Sequence, residues 1–180
     1  MSEQAVLTDG GITLRALGAA DVGPTYVSWL NDPEVTAFTE IEAGTADIKS
    51  AKKYVEDSNL AFDALLWGIF IGAEERHVGN FRFGAINKKH RRASAAILIG
   101  DRTVWGHGIA PAAIRLATRY GFENLNLEKI YANVVSKNWS SRRAFEKAGF
   151  HLEATLQRHA ILGDEIASAW MLAIFRDEYF

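Results

Sequence analysis

The stretch that most restricts what this chain can fold into runs from Ile97 to Ala110, where Ile97-Leu98-Ile99 leads through Gly100-Asp101-Arg102-Thr103-Val104-Trp105 into Gly106-His107-Gly108-Ile109-Ala110. A short apolar run bounded by glycine reads as a buried strand. The residues after it, Ile109, Ala113, Leu116, Ala117 and Tyr120, recur on one face of a helix that should end near Gly121. Two glycines spaced by one residue let the backbone approach a ligand closely, and the helix start offers unpaired N–H groups and the positive end of a dipole. That geometry suits a pyrophosphate. From Val104 to Ala110 there is no Ser, Thr, Asp or Asn to cap the helix, so its first donors go to water or to a bound anion. The alternative is a plain tight turn, with Pro111 favouring helix initiation. The segment lacks the Lys-Ser/Thr pair of a P-loop, and Pro111 stands where a dinucleotide fingerprint has its third glycine, so neither ATP nor NAD is favoured.

Around this junction the hydrophobic periodicity predicts a mixed α/β chain. Ile12 to Leu17 alternates as a half-buried strand, Asp21 before Tyr26, Trp29 and Leu30 suggests the start of a short helix ending near Asn31-Asp32-Pro33, and Thr45 to Asp57 has helical spacing at Ile48, Ala51 and Val55 with Asp47 in its first turn. Leu65 to Ile71 and His77 to Phe83 form a hairpin across residues 72–76, and Ala93 to Ile99 is a third strand. Lys129 to Val135 reads as a strand, Ser140 to Lys147 as a helix stopped by Ala148-Gly149-Phe150, and His151 to Ile161 with Ile166 to Phe175 as an antiparallel pair. A mixed central sheet flanked by helices follows, as one domain over 1–180.

Charge and cysteine content narrow the function. With 20 Lys and Arg against 22 Asp and Glu there is no broad basic field, so neither nucleic acid nor a membrane is expected as partner. Lys88-Lys89-His90-Arg91-Arg92 is either a local anion patch or an exposed strand connection. The absence of Cys removes disulfides, thiolate metal sites and a cysteine nucleophile, and no metal is expected. Without an apolar run of membrane length or a leader pattern, the expected location is the cytoplasm. Nothing in the residues fixes an oligomeric state.

Trp105-Gly106-His107-Gly108-Ile109-Ala110 resembles the acetyl-CoA loop of the GNAT acetyltransferases, R/Q-x-x-G-x-G/A, with Trp105 in place of Arg or Gln as in the RimJ/RimL-like branch. About 30 residues later, Asn138-Trp139-Ser140-Ser141-Arg142-Arg143-Ala144-Phe145-Glu146-Lys147-Ala148-Gly149-Phe150 resembles the second family signature, and Tyr26 to Val35 looks like the first-helix segment of that branch. The resemblance implies the GNAT acyl-CoA N-acyltransferase fold and acetyl transfer from acetyl-CoA to a primary amine. It implies that Ile97, Leu98 and Ile99 pair with the pantetheine arm, that amides from Trp105, Gly106, His107, Gly108, Ile109 and Ala110 hold the pyrophosphate, and that Asn138 binds pantetheine. Trp29, Phe38 and Glu40 fall in the segment that shapes the acceptor pocket of related enzymes; as residues they read equally as core aromatics and a solvated carboxylate.

Two catalytic groups of the family are replaced. The tyrosine that protonates the leaving thiolate is Phe145, which points to Ser141 as a hydrogen-bond donor to sulfur, the alternative being a small residue chosen for packing. The usual strand glutamate is Ser94, and Glu40, Glu42, His77, His107 and His151 remain as unassigned candidates for a base. The acceptor classes are a nucleotide-linked amino sugar, slightly preferred on Ser28-Trp29-Leu30-Asn31-Asp32-Pro33-Glu34-Val35 and the Trp-Gly-x-Gly turn, a protein N-terminus, and a polyamine or other small amine. A non-catalytic acyl-CoA-binding module is the alternative of another class.

Overall fold

The computed structural model describes residues 5–179. In chain order it contains β1 (Leu7–Asp9), β2 (Ile12–Ala16), α1 (Pro24–Leu30), α2 (Pro33–Thr36), α3 (Ile48–Leu60), β3 (Leu65–Ile71), β4 (Arg76–Asn87) and β5 (Arg92–Ile99). These are followed by α4 (Ile109–Glu123), β6 (Lys129–Val135), α5 (Trp139–Lys147), β7 (His151–Leu162), β8 (Glu165–Phe175) and α6 (Arg176–Tyr179). Among the described residues eight strands form one sheet in the order β1-β2-β3-β4-β5-β6-β8-β7. Neighbours are antiparallel except β5 and β6. This parallel pair holds for only three positions, Arg92↔Lys129, Ala93↔Ile130 and Ser94↔Tyr131, and then the strands part.

Alternation along the strands builds a core on each face. Trp67, Phe81 and Phe83 join Ala113, Ile114, Ala117 and Phe122 of α4 and Phe145 of α5 on one face. Leu66 and Phe70 join Tyr26, Trp29 and Leu30 of α1 and Ala51 and Val55 of α3 on the other. Gly121 lies inside α4 rather than at its end, because a Cβ there would come within 2.8 Å of Ile130 Cδ1; the helix runs on to Glu123.

Several sequence-based boundaries move for reasons of capping. Asp21 does not start α1: its carboxylate is held by Arg15 at 2.8 Å and by the Gly18 amide at 2.7 Å, and the helix begins at Pro24 after Gly23. Asp47 is the cap before α3 rather than part of its first turn, its Oδ1 accepting from the Ser50 amide at 2.7 Å while Ser50 Oγ accepts from the Asp47 amide at 3.1 Å. Asp32 caps α2, a single turn the periodicity did not signal. In the basic run, Arg91 fastens the β4–β5 turn to the loop before β6 by bonds to the Asn126 carbonyl at 2.7 Å and to Glu128.

Candidate active site

The fork between β5 and β6 leaves backbone groups without a strand partner. The Gly100 amide donates to Val78 O at 2.9 Å, and a Cβ on Gly79 would lie 2.3 Å from Leu98 O, so the polar groups of Leu98 and Gly100 point toward β4. By alternation those of Ile97 and Ile99 point the other way, into the fork. Leu98 therefore does not offer its backbone to a ligand there, which corrects the expectation for that residue. On the far wall, the Ser136 amide bonds Ser168 O of β8 at 2.9 Å, so the backbone groups of Asn133 and Val135 face β5.

At the open end of the fork sits the glycine loop. Gly106 and Gly108 have φ of 80° and 81°, and a Cβ at either would meet nothing within 4 Å. Backbone conformation, not crowding, demands glycine there, and the empty space lies over the helix start. The Trp105 amide donates to Arg102 O at 3.2 Å and the His107 amide to Val104 O at 3.3 Å, so these two expected anion donors are already engaged. The amides of Gly106, Gly108, Ile109 and Ala110 have no protein acceptor among the described residues. Trp105 Nε1 donates to Ile99 O at 2.9 Å and ties the loop to the strand end. Four free amides at the positive end of the α4 dipole fit a diphosphate, and the unpaired backbone groups of Ile97 and Asn133 with the amide of Ile99, whose carbonyl is taken by Trp105, fit an extended, amide-bearing arm.

α5 begins on the far side of the fork. Asn138 caps it, its Oδ1 accepting from the Ser141 amide at 3.0 Å, which leaves Nδ2 free of protein partners among the described residues. Ser141 is half-buried in the first turn, and its hydroxyl makes no hydrogen bond among the described residues. Phe145 is 1 % exposed and packs on Phe150, so it is a core residue in the place of an acid. Ser94 Oγ donates to Gly84 O at 2.9 Å.

On the α1 side the expected acceptor residues separate. Trp29 is buried, with its ring edge-on to His77 at 5.0 Å and so close over Gly100 that a Cβ there would lie 2.1 Å from it. Phe38 and Glu40 are exposed in the segment after α2. His77 is sandwiched between Tyr26 and Phe70, and its Nε2 lies 3.0 Å from Asn80 Oδ1, while Asn80 Nδ2 donates to the Tyr26 hydroxyl at 3.0 Å. Burial holds the His77 imidazole below its usual titration range and pushes the Tyr26 phenol up to about 12. His77 is thus a neutral member of a packed network. His107 and His151 are exposed, the latter 3.6 Å from Glu178. Sequence reasoning missed Asn80 and Arg82 on β4 and the stack of Arg142 on Trp170 (4.4 Å) and Trp139 (5.2 Å); a polar residue between two phenylalanines in Phe81-Arg82-Phe83 was the available signal.

A sheet forked at its parallel pair, with free amides where a helix starts at the fork, is the scaffold of an N-acetyltransferase. The chain belongs to the GNAT acetyltransferase family, whose acetyltransferase (GNAT) domain model matches residues 12–151. An uncharacterised N-acetyltransferase of Bacillus licheniformis, p20, is 28% identical over 171 residues, 93% of this chain and 94% of the relative. The spermidine N(1)-acetyltransferase of Escherichia coli K12 is 35% identical over 94 residues, 52% of this chain and 50% of that enzyme. The same fold is found in the spermidine N-acetyltransferase of Vibrio cholerae, solved with CoA and spermine, at a TM-score of 0.84 and 23% identity over 95% of this chain and 99% of that one.

Proposed function

We propose that this enzyme transfers the acetyl group of acetyl-CoA directly to a primary amine of a small molecule, within a ternary complex and without an acetylated protein. The observation that carries the reading is the coincidence of four amides at Gly106, Gly108, Ile109 and Ala110 that have no acceptor among the described residues with the open backbone edge of Ile97 and the free amide of Ile99. Diphosphate and pantetheine match these two features in order along the fork.

An alkyl amine with a reference pKa of about 10.4 must first lose a proton, which costs roughly 4–5 kcal/mol at neutral pH. With Ser94 committed to Gly84 and His77 enclosed, that proton passes to solvent. The nitrogen lone pair then adds to the thioester carbonyl, and backbone N–H groups lining the fork are the donors available to the oxyanion. The adduct nitrogen gives up its extra proton to water, collapse breaks the C–S bond to leave a neutral amide, and CoA departs as a thiolate that takes a proton back from water. The Ser141 hydroxyl, which has no other hydrogen bond among the described residues, donates to the sulfur as charge develops on it; Asn138 orients the arm through Nδ2.

The Trp105–Ala110 and Asn138–Phe150 motifs support placement in the RimJ/RimL-like branch. Within small-molecule acceptors, Ser28 to Val35 favours a nucleotide-linked amino sugar, whereas the spermidine N(1)-acetyltransferase relative favours a polyamine. Free-thiol release from acetyl-CoA across an amino-sugar nucleotide, spermidine, a peptide N-terminus and a plain alkylamine tests the proposal. Amine-dependent thiol release is expected. Tight acetyl-CoA binding with no release on any amine would make the chain an acyl-CoA-binding module instead.

A further inference from the structure

Arg82 stands out among the arginines. Phe81 and Phe83 on either side of it fill the α4-side core, so alternation puts Arg82 on the opposite face with Asn80 and Gly84. It is half-buried, its Nε is sealed from solvent, and among the described residues its guanidinium has no hydrogen bond or ion pair. Arg92, Arg119, Arg143 and Arg158 also have no such partner, but they are exposed and served by water. No carboxylate pairs with it among the described residues: Asp21 and Glu75 bind Arg15, and Asp32 and Glu34 bind Arg102. A donor sealed from water without an acceptor is costly, and none is supplied among the described residues.

The location supplies the reason. Arg82 is paired in register with Ala96, two residues beyond the last β5–β6 pair at Ser94↔Tyr131, which puts it beside the point where the strands part. Ala96 and Asn133 are exposed there, so this face of the fork is open in front of it. Gly84 makes room: a Cβ there would lie 2.6 Å from Arg82 Nη1. The guanidinium is a planar fork of donors suited to a carboxylate or a phosphate.

We propose that the acceptor carries, besides its amine, an anionic group of carboxylate or phosphate type that pairs with Arg82. Such an acceptor is zwitterionic or anionic, not a polycation. Strand spacing sets the distance between the two groups: Arg82 lies one strand from β5 and two from β6, so amine and anion are separated by roughly 5–10 Å. An α-amino acid is too short, and a chain of several carbons or a sugar between the two groups fits. This inference rests on the acetyl-transfer reading and on the amine reaching the fork from this face.

Five amines test it in the thiol-release assay: aminohexanoate, aminohexyl phosphate, hexylamine, glycine and spermidine. The wild type should prefer the two long anionic amines to hexylamine in kcat/KM, and comparing them tells carboxylate from phosphate. Arg82→Met should lower that preference by about tenfold to a hundredfold, mostly through KM, and Arg82→Lys should restore part of it. A folded Arg82→Met protein with an unchanged preference, or a wild type that favours spermidine, would overturn the proposal. Calorimetric binding of N-acetyl-aminohexanoate to the CoA-loaded protein reads the same contact without turnover. Binding that depends on Arg82 with no turnover on any amine refutes acetyl transfer alone, turnover without Arg82 dependence refutes the anion contact alone, and the absence of both refutes both.

Discussion

Replacing Gly108 separates the cost of a backbone conformation from the loss of a binding contact. Its φ of 81° lies in the left-handed region, where an alanine costs about 1–2 kcal/mol. No atom lies within 4 Å of the position the new methyl would take, so no clash adds to that cost. For a domain of this size Gly108→Ala should therefore lower Tm by about 2–8 °C and remain folded at room temperature. The same methyl enters the space over the free amides of Gly108, Ile109 and Ala110, where the proposed diphosphate would lie. Losing one charge-assisted contact, about 1.5–3 kcal/mol, weakens acetyl-CoA binding by about tenfold to a hundredfold. Gly108→Val, with a branched side chain in the same conformation, should do more on both counts. Calorimetry gives the affinity, and acetyl-pantetheine, which lacks the diphosphate, is the control: its kcat/KM should change far less than that of acetyl-CoA. A folded variant that binds acetyl-CoA like the wild type, or one that loses acetyl-pantetheine and acetyl-CoA activity equally, refutes the assignment of the diphosphate to this loop.

Ser141→Ala should reduce turnover by roughly tenfold to a thousandfold when chemistry is rate-limiting, with acetyl-CoA affinity retained; an unaltered single-turnover rate would leave Ser141 a packing residue. Rapid-quench mass spectrometry with acetyl-CoA alone should detect no acetylated protein on the timescale of turnover, and a kinetically competent adduct would contradict direct transfer. Because burial holds His77 below its reference value of 6.5, the unfolded chain takes up a proton that the folded one refuses as pH falls below about 6.5, so stability drops there by up to about 1.4 kcal/mol per pH unit; His77→Phe should flatten the dependence of Tm on pH, and an identical profile would show that His77 does not contribute to it. Asp47→Ala removes the side-chain acceptor of the Ser50 amide, leaving the bond from the residue 47 amide to Ser50 Oγ, and should cost about 1 kcal/mol in chemical denaturation, with no such loss expected if the helix start is already frayed.

The legible parts of the molecule were those with strong local signatures. Leu65–Ile71 and Lys129–Val135 fall where their apolar runs place them, and the glycine loop and the Asn138 cap carry motifs that can be read residue by residue. Short elements were not legible: β1 has three residues and α2 has four, too few for any period to repeat. The site was half visible. Sequence picked out the glycine turn between β5 and α4, but which of its amides are free depends on the turn bonds from Trp105 to Arg102 and from His107 to Val104, which no spacing encodes. Trp29 reads as a pocket aromatic until the packing over Gly100 reveals it as a wedge. Phe81-Arg82-Phe83 hints at a strand arginine facing away from the core, but that Arg82 is unpaired was not legible, since an unpaired side chain is defined by what all the other residues fail to supply.

The three-pair limit of the β5–β6 contact has a consequence for the life of the protein in a cell. β1 to β5 form one leaf of the sheet and β6 to β8 another, joined along a short spine and by α4. If pantetheine lies between them, the cosubstrate acts as a structural member, closing a ladder that the polypeptide leaves incomplete. Ligand held at a hundred times its Kd would add about 2.7 kcal/mol to the folded state by mass action. Resistance to proteolysis, and with it abundance, would then rise and fall with the supply of acetyl-CoA, and amides such as Ile97, Ile99 and Asn133 would exchange slowly with solvent only when metabolism keeps the fork filled.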